Sequence, residues 1–418
     1  MFVWLYTDFF IGQCNIELIM AIDLLNIPDK ADRKKPPEVK RWLSVLAAFI
    51  GIASFITLFL WPEETSKKSI SFWLYSFIYP FFIWLLVFLV RRLYFDLNQF
   101  WSDNWDKERE RLIEQEIARG QKTLYQLGSV IHIPDAVMQG TLSEQLVNSL
   151  ISMRKITDEN TGKVIRRKCF STNLSQMEDK LYERICLLLA DNTFSSVLVN
   201  AIKKTNVNVC LEFDAKLERS AYDKIWKKVC DNSQVILPMS YFYGQGMESV
   251  EQWIDSASRN ETLLIVSVHL SKFDDDGHGD AAVALLVTAS PAIGEHELSG
   301  NIICRPEDSS PNEMVYALSQ ALLWGKSRGE DIQYLWMSGM GCDNKAQILS
   351  APLGETFPNL TESENQIDID GKIGYTGSAS PWLAISIASE SAQRHKKAQL
   401  VMSTVFQEST KPWFMVVK

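Results

Sequence analysis

Hydrophobic and polar residues are unevenly spread along this chain. Two long stretches, Trp42–Leu60 (WLSVLAAFIGIASFITLFL) and Ser71–Val90 (SFWLYSFIYPFFIWLLVFLV), carry no charge at all. A bilayer's hydrocarbon core is about 30 Å thick, and a helix needs about 20 apolar residues to cross it with its backbone polar groups paired internally. A buried globular helix of that length would show a polar face, and neither stretch has one. The pattern predicts a transmembrane hairpin over 42–92, with spans at 42–61 and 71–91. Pro80 inside the second span is tolerable in a membrane helix.

The pattern changes on both sides of the hairpin. Residues 1–28 are apolar and aromatic but broken by Asp8, Gly12, Gln13, Glu17 and Asp23. They leave two readings open: an interfacial amphipathic segment, or a piece that docks on the body or on a partner. Residues 29–41 form a basic linker marked by Pro36 and Pro37. Tyr94–Leu127 reads as a charged helix or helix pair that Gly120 can break, so 93–170 is expected to be a stalk and connecting region.

Beyond about residue 170 helices alternate with strands. Helices are expected over Met177–Ala190, Ser195–Lys204, Ser220–Cys230, Met247–Ser258, Pro311–Trp324 and Ser380–Gln393. Strands are expected over Val207–Phe213, Val235–Pro238, Thr262–Leu270, Ala281–Ala289, Tyr334–Ser338, Lys397–Ser403 and Pro412–Val417. Continuous apolar β-type runs mixed with helices indicate a mixed sheet covered on both faces. The body, 171–418, is therefore expected to be α/β.

Composition narrows the function. The chain has 418 residues, 46% of them hydrophobic, and a net charge of −9, which argues against nucleic acid as a partner. Its seven cysteines are scattered singly, with no Cys-x-x-Cys and no Cys/His pair at metal spacing, so no metal or cofactor is expected. Lys30, Arg33, Lys34, Lys35, Lys40 and Arg41 precede the first span, and Arg91 and Arg92 follow the second. Cytoplasmic flanks collect such residues, so both termini are expected in the cytoplasm.

Four segments resemble, in order, the second half of a thiolase-fold protein of the β-ketoacyl synthase type. They are Thr262–His269, Gly279–Val287 (GDAAVALLV), Glu330–Asp343 (EDIQYLWMSGMGCD) and Asp368–Ser380 (DIDGKIGYTGSAS), followed by a helix and a closing strand pair. The resemblance covers roughly 235–418 and implies a thiolase-like body. It also implies an active site with a cysteine nucleophile at a strand-to-helix turn and two histidines for protons and the oxyanion. Here the histidine positions carry Ser338 and Tyr375. The nucleophile region, Leu237–Gly246, has no cysteine, and Ser240 is its only small nucleophilic side chain. Serine cannot act as a base near neutral pH, and tyrosine, with a pKa of about 10, is a poor one.

No catalytic residue is therefore expected, and Ser240, Ser338, Cys342 and Tyr375 outline a vestigial pocket. His269 reads as a core or edge residue, and the acidic turn around Asp274–Asp276 and His278 as solvated, since its spacing fits neither an EF-hand nor a zinc motif. The chain looks like the accessory proteins that accompany type VI secretion effectors in Gram-negative bacteria. That resemblance implies a bacterial inner-membrane scaffold or adapter whose partners are a secreted effector or secretion-system component and the lipid bilayer, with a homodimer possible. The competing reading is a membrane-bound acyl-transfer or lipid-modifying enzyme that has relocated its catalytic groups onto Ser240, Ser338, Tyr375 and Cys342.

Overall fold

The computed structural model describes residues 24, 27–62, 69–134, 140–153, 155–157, 164–213, 219–233, 236–271, 276–290, 301–310, 313–350, 353–404 and 411–418. Most of the segment 1–28 lies outside the described residues. The chain divides into two compact units, Met1–Ala118 and Arg119–Lys418.

The first unit holds α1 (Val39–Leu60) and α2 (Ile70–Gly120), both long and apolar enough to cross a membrane. Within α2, Leu74–Ile78 forms a π-helical turn just before Pro80. Proline has no N–H to give the carbonyl four residues back, which here is that of Ser76. The Ser54 hydroxyl of α1 donates to that carbonyl at 3.3 Å, and the Ser76 hydroxyl donates to Ser54 Oγ at 2.9 Å. The Trp84 indole likewise donates to the Trp42 carbonyl at 3.1 Å. The basic linker is tied to the charged part of α2: Arg33 pairs with Asp103 and Asp106, each at 3.1 Å, and Lys34 donates to the Tyr94 hydroxyl at 2.8 Å. Part of the charge of α2 is thus paired within the unit.

The second unit begins at the end of α2, where Gly120 lies against the Trp324 ring; a Cβ there would stand 2.3 Å from it. Its strands are β1 (Leu124–His132), a small hairpin of β2 (Lys155–Thr157) and β3 (Val164–Arg166), β4 (Asn206–Phe213), β5 (Ser240–Tyr241), β6 (Glu261–His269), β7 (Ala281–Thr288), β8 (Ile302–Ile303), β9 (Glu307–Asp308), β10 (Ile332–Ser338), β11 (Gln366–Asp368), β12 (Ala398–Ser403) and β13 (Trp413–Val417). The main sheet runs β11-β10-β12-β13-β8-β1-β7-β6-β4-β5, with β9 on β13.

That order is an internal duplication. Leaving out the hairpin and β9, the strands β1, β4, β5, β6 and β7 stand, from the outer edge inward, as third, second, fourth, fifth, first. The strands β8, β10, β11, β12 and β13 repeat the same order. In both halves the first three positions are mutually parallel and the fifth strand runs antiparallel to the fourth. The halves join where β1 and β8 pair antiparallel.

The helices of this unit are α3 (Leu142–Val147), α4 (Met177–Leu189), α5 (Asn192–Lys204), α6 (Arg219–Asn232), α7 (Gly246–Ser256), α8 (Met314–Trp324), α9 (Cys342–Ser350) and α10 (Ser380–His395), with several shorter turns. Three apolar clusters hold it together. In the central one, α7 and α10 pack with residues of both halves, including Ile265 and Val283 of the first and Trp336 and Val401 of the second. The other two lie under α4, α5 and α6 and under α8 and α9. Because helices cover both faces, β7 (AAVALLVT) is buried at all eight positions, which is why it reads as one apolar run.

The α/β body with its mixed sheet is therefore present as the sequence predicts, with one correction of extent. Leu124–His132, expected within a stalk and connecting region, is a central strand. Its partners β7 and β8 lie more than a hundred residues downstream, so nothing local distinguishes it from a connection.

Candidate functional site

The four residues expected to outline one pocket are engaged separately. Ser240 sits on the edge strand β5, and its exposed hydroxyl donates to Asn208 Oδ1 at 2.6 Å. Ser338 ends β10 fully buried and donates to Asp370 Oδ1 at 3.2 Å. Cys342 opens α9 and is exposed. The Tyr375 ring packs edge-on against His278, centroids 5.1 Å apart, and against His269 at 6.0 Å.

The strand-to-helix turn itself is formed. After β5 the chain reaches Gly246, φ +52°, the first residue of α7. A side chain at that angle would be strained, so glycine suits the bend, and it presents no side chain. The second half repeats the device: Gly377, φ +49°, stands between β11 and α10.

At the first elbow lies a carboxylate that sequence reasoning did not single out. Glu212, next to last in β4, is 7% exposed. Its Oε1 accepts the Gly246 N–H at 3.0 Å, and its Oε2 accepts the Trp382 indole N–H, from α10 of the other half, at 3.0 Å. Its backbone carbonyl accepts the Ser267 and Ser378 hydroxyls at 3.0 and 3.4 Å. A carboxylate on a helix's free N-terminal N–H is favourable. Burial nevertheless pushes the Glu212 pKa up to about 7, against the opposing hydrogen bonds from Trp382, Gly246 and Cys210.

A second buried carboxylate occupies the turn after β10. Asp370 accepts the Gly339 N–H at 3.0 Å and the Met340 N–H at 3.2 Å, besides the Ser338 hydroxyl. Lys345 closes the group, 3.1 Å from Asp370 and 2.7 Å from Asp368. Burial raises the Asp370 pKa while the Lys345 charge and the two backbone N–H groups oppose it. For Lys345 burial works downward, but the Asp370 and Asp368 charges outweigh it and the ammonium is raised.

The structure also gathers residues that the sequence scattered. His269, His278 and Tyr375 meet as three rings, and Asp280 beside them accepts the Ser271 N–H and hydroxyl, each at 2.7 Å, and the Phe170 N–H at 2.8 Å. Among the described residues no three His, Cys, Asp or Glu side chains are placed to hold a metal ion. Asp274 and Asp275 lie outside the described residues, and Asp276 accepts the Arg166 N–H at 2.7 Å.

No protein-family model matches this chain, and no curated protein sequence does. Solved structures give weak likenesses. The chain is similar to OleA of Xanthomonas campestris, solved with cerulenin, at 10% identity and TM-score 0.45 over 71% of this chain and 96% of that one. It is similar to the 3-oxoacyl-(acyl carrier protein) synthase III FabH of Pseudomonas aeruginosa PAO1 at 13% identity and TM-score 0.41, covering 71% and 97%. A third is human mitochondrial 3-ketoacyl-CoA thiolase in complex with CoA, at 9% identity and TM-score 0.45, covering 71% and 98%.

Proposed function

We propose that this chain is a membrane-anchored, non-catalytic scaffold whose α/β body holds a partner protein at the cytoplasmic face of a bacterial inner membrane. One observation carries the reading. At the elbow where a nucleophile would stand there is a glycine, and its N–H is already taken by the buried Glu212 carboxylate. A donor spent on a protein carboxylate is not free to stabilise a developing oxyanion. The acyl-transfer reading finds less support, because Ser240, Ser338 and Tyr375 are each committed to other neighbours.

Anchoring rests on the two apolar helices, and the cytoplasmic orientation on the basic residues that flank them. The narrower form of the proposal, an adapter for a type VI secretion effector, rests on the resemblance stated above. Its test is affinity capture of the full chain, crosslinked in its native membranes and extracted in detergent. The proposal expects recovery of a secreted effector or a secretion-machine subunit. Recovery of neither contradicts the adapter role, and a body labelled by a membrane-impermeant reagent from the outer side contradicts the orientation.

A further inference from the structure

A cavity of about 410 Å3 opens among β1, α3 and the second half of α10, lined among others by Gln126, Gln145, Asn301, Ser386 and Glu390. This is within the size range of small-molecule sites and far above the roughly 30 Å3 of one water. Several of its side-chain donors are engaged within the protein. Gln126 Nε2 donates to Ser129 Oγ at 2.9 Å, Gln145 Nε2 to the Gly140 carbonyl at 3.3 Å, and Asn301 Nδ2 to the Ser389 carbonyl at 2.8 Å. The Thr141 hydroxyl is spent on Glu144 at 3.1 Å. Each of these groups spends one donor inside the protein, and the Ser129 hydroxyl and the Gln393 amide line the space beside them.

The acceptors are not all used. Gln126 Oε1 and the Ser386 hydroxyl are buried with no hydrogen-bond partner among the described residues, and the two side chains are 8% and 1% exposed. An unpaired buried polar group costs about 1–3 kcal/mol, so two on one wall call for something that fills them. Glu390 also faces the cavity, accepting the Ser143 N–H at 3.3 Å. Among the described residues no lysine or arginine lines the space. Arg394, on the same helix as Glu390, is paired with Glu144.

We propose that this cavity binds a small organic ammonium, with Glu390 matching its charge and Gln126 Oε1 and Ser386 Oγ accepting its N–H or O–H donors. The site shares no residue with the Glu212 elbow, so it stands or falls independently of the scaffold reading. Burial raises the Glu390 pKa against hydrogen bonds from Ser143, Thr141 and Leu142, and an adjacent ammonium would favour its ionised form.

Ethanolamine, which joins an ammonium to a hydroxyl, is the probe. It is titrated calorimetrically into the full chain in detergent micelles at about pH 8, where the probe is still cationic. The proposal expects saturable binding at least about tenfold tighter than that of ethylene glycol, its uncharged analogue. Glu390→Gln should weaken ethanolamine about tenfold or more, and Ser386→Ala about threefold, with circular dichroism unchanged. Gln126→Glu, which adds an acidic acceptor to the same wall, should tighten it. No saturable binding of ethanolamine, equal binding of ethylene glycol, or affinity unchanged in both Glu390→Gln and Gln126→Glu would overturn the assignment.

Discussion

The two halves of the body share one strand order but handle their buried carboxylates differently. In the second half Asp370 is held by two backbone N–H groups, a serine hydroxyl and the Lys345 ammonium. In the first half Glu212 is held by one backbone N–H, an indole N–H and a thiol, with no cation paired to it among the described residues. One is paired with a cation. The other is a group that prefers to be neutral and keeps its place through hydrogen bonds. The first half thus holds the turn before α7, and the second half the turn after β10, by different chemistry, and the comparison predicts different responses to mutation.

The largest effect belongs to the paired site. Lys345→Met leaves Asp370 as an uncompensated buried charge and should destabilise the protein by about 3–5 kcal/mol, read by denaturant unfolding of the full chain in micelles. A loss under about 1 kcal/mol would mean that the backbone N–H groups alone carry Asp370.

The unpaired site should show its effect through pH. The Glu212 pKa is raised in the folded state from 4.5 to about 7. Its contribution is therefore fully present below the unfolded value and is lost as pH rises through the folded one. Across that window stability should fall by up to about 3 kcal/mol on account of this residue. Glu251 and Glu307, also raised to about 7 by burial, add to the same slope. Glu212→Gln sets an amide NH2 against the Gly246 or Trp382 N–H and should be less stable than the parent near pH 5, but it removes the buried charge, so it should gain about 1–3 kcal/mol relative to the parent between pH 5 and pH 8. A pH-independent difference would place Glu212 in an ionised state throughout.

The bend itself is worth less. Gly246→Ala forces a side chain into the left-handed region and should cost about 1–2 kcal/mol, measured in the same unfolding assay at fixed pH. The smallest effect is in the first unit. Ser54→Ala removes the donor that satisfies the Ser76 carbonyl beneath Pro80 and should cost about 0.6 kcal/mol of helix association, read by steric-trap unfolding in bilayers.

How far these features can be read in advance depends on how local they are. The hairpin is legible because charge-free runs such as Trp42–Leu60 need no partner to be recognised. The strands β6 and β7 are legible because both faces are buried and the apolar run is unbroken. β1 is not, since Gln126 and His132 interrupt it and its pairing is distant in sequence. The site is the least legible part. Glu212 reads as a polar residue near the end of an apolar strand (VNVCLEF), and its partners Gly246 and Trp382 lie 34 and 170 residues away. The placing of Ser338 and Tyr375 at histidine positions is what the motif resemblance implies. The carboxylates that close the turns could not be read in advance, because only the packed fold brings them to those backbone N–H groups.

The claim that the elbow is closed to chemistry is tested most directly by intact mass spectrometry of the full chain after incubation with acyl-CoA and with acylated carrier protein. The account predicts an unmodified mass over the whole time course, for the parent and for Cys342→Ala alike. A mass increase equal to one acyl group on the parent, abolished by Cys342→Ala or Ser240→Ala, would contradict it and make the chain an acyl-transfer enzyme.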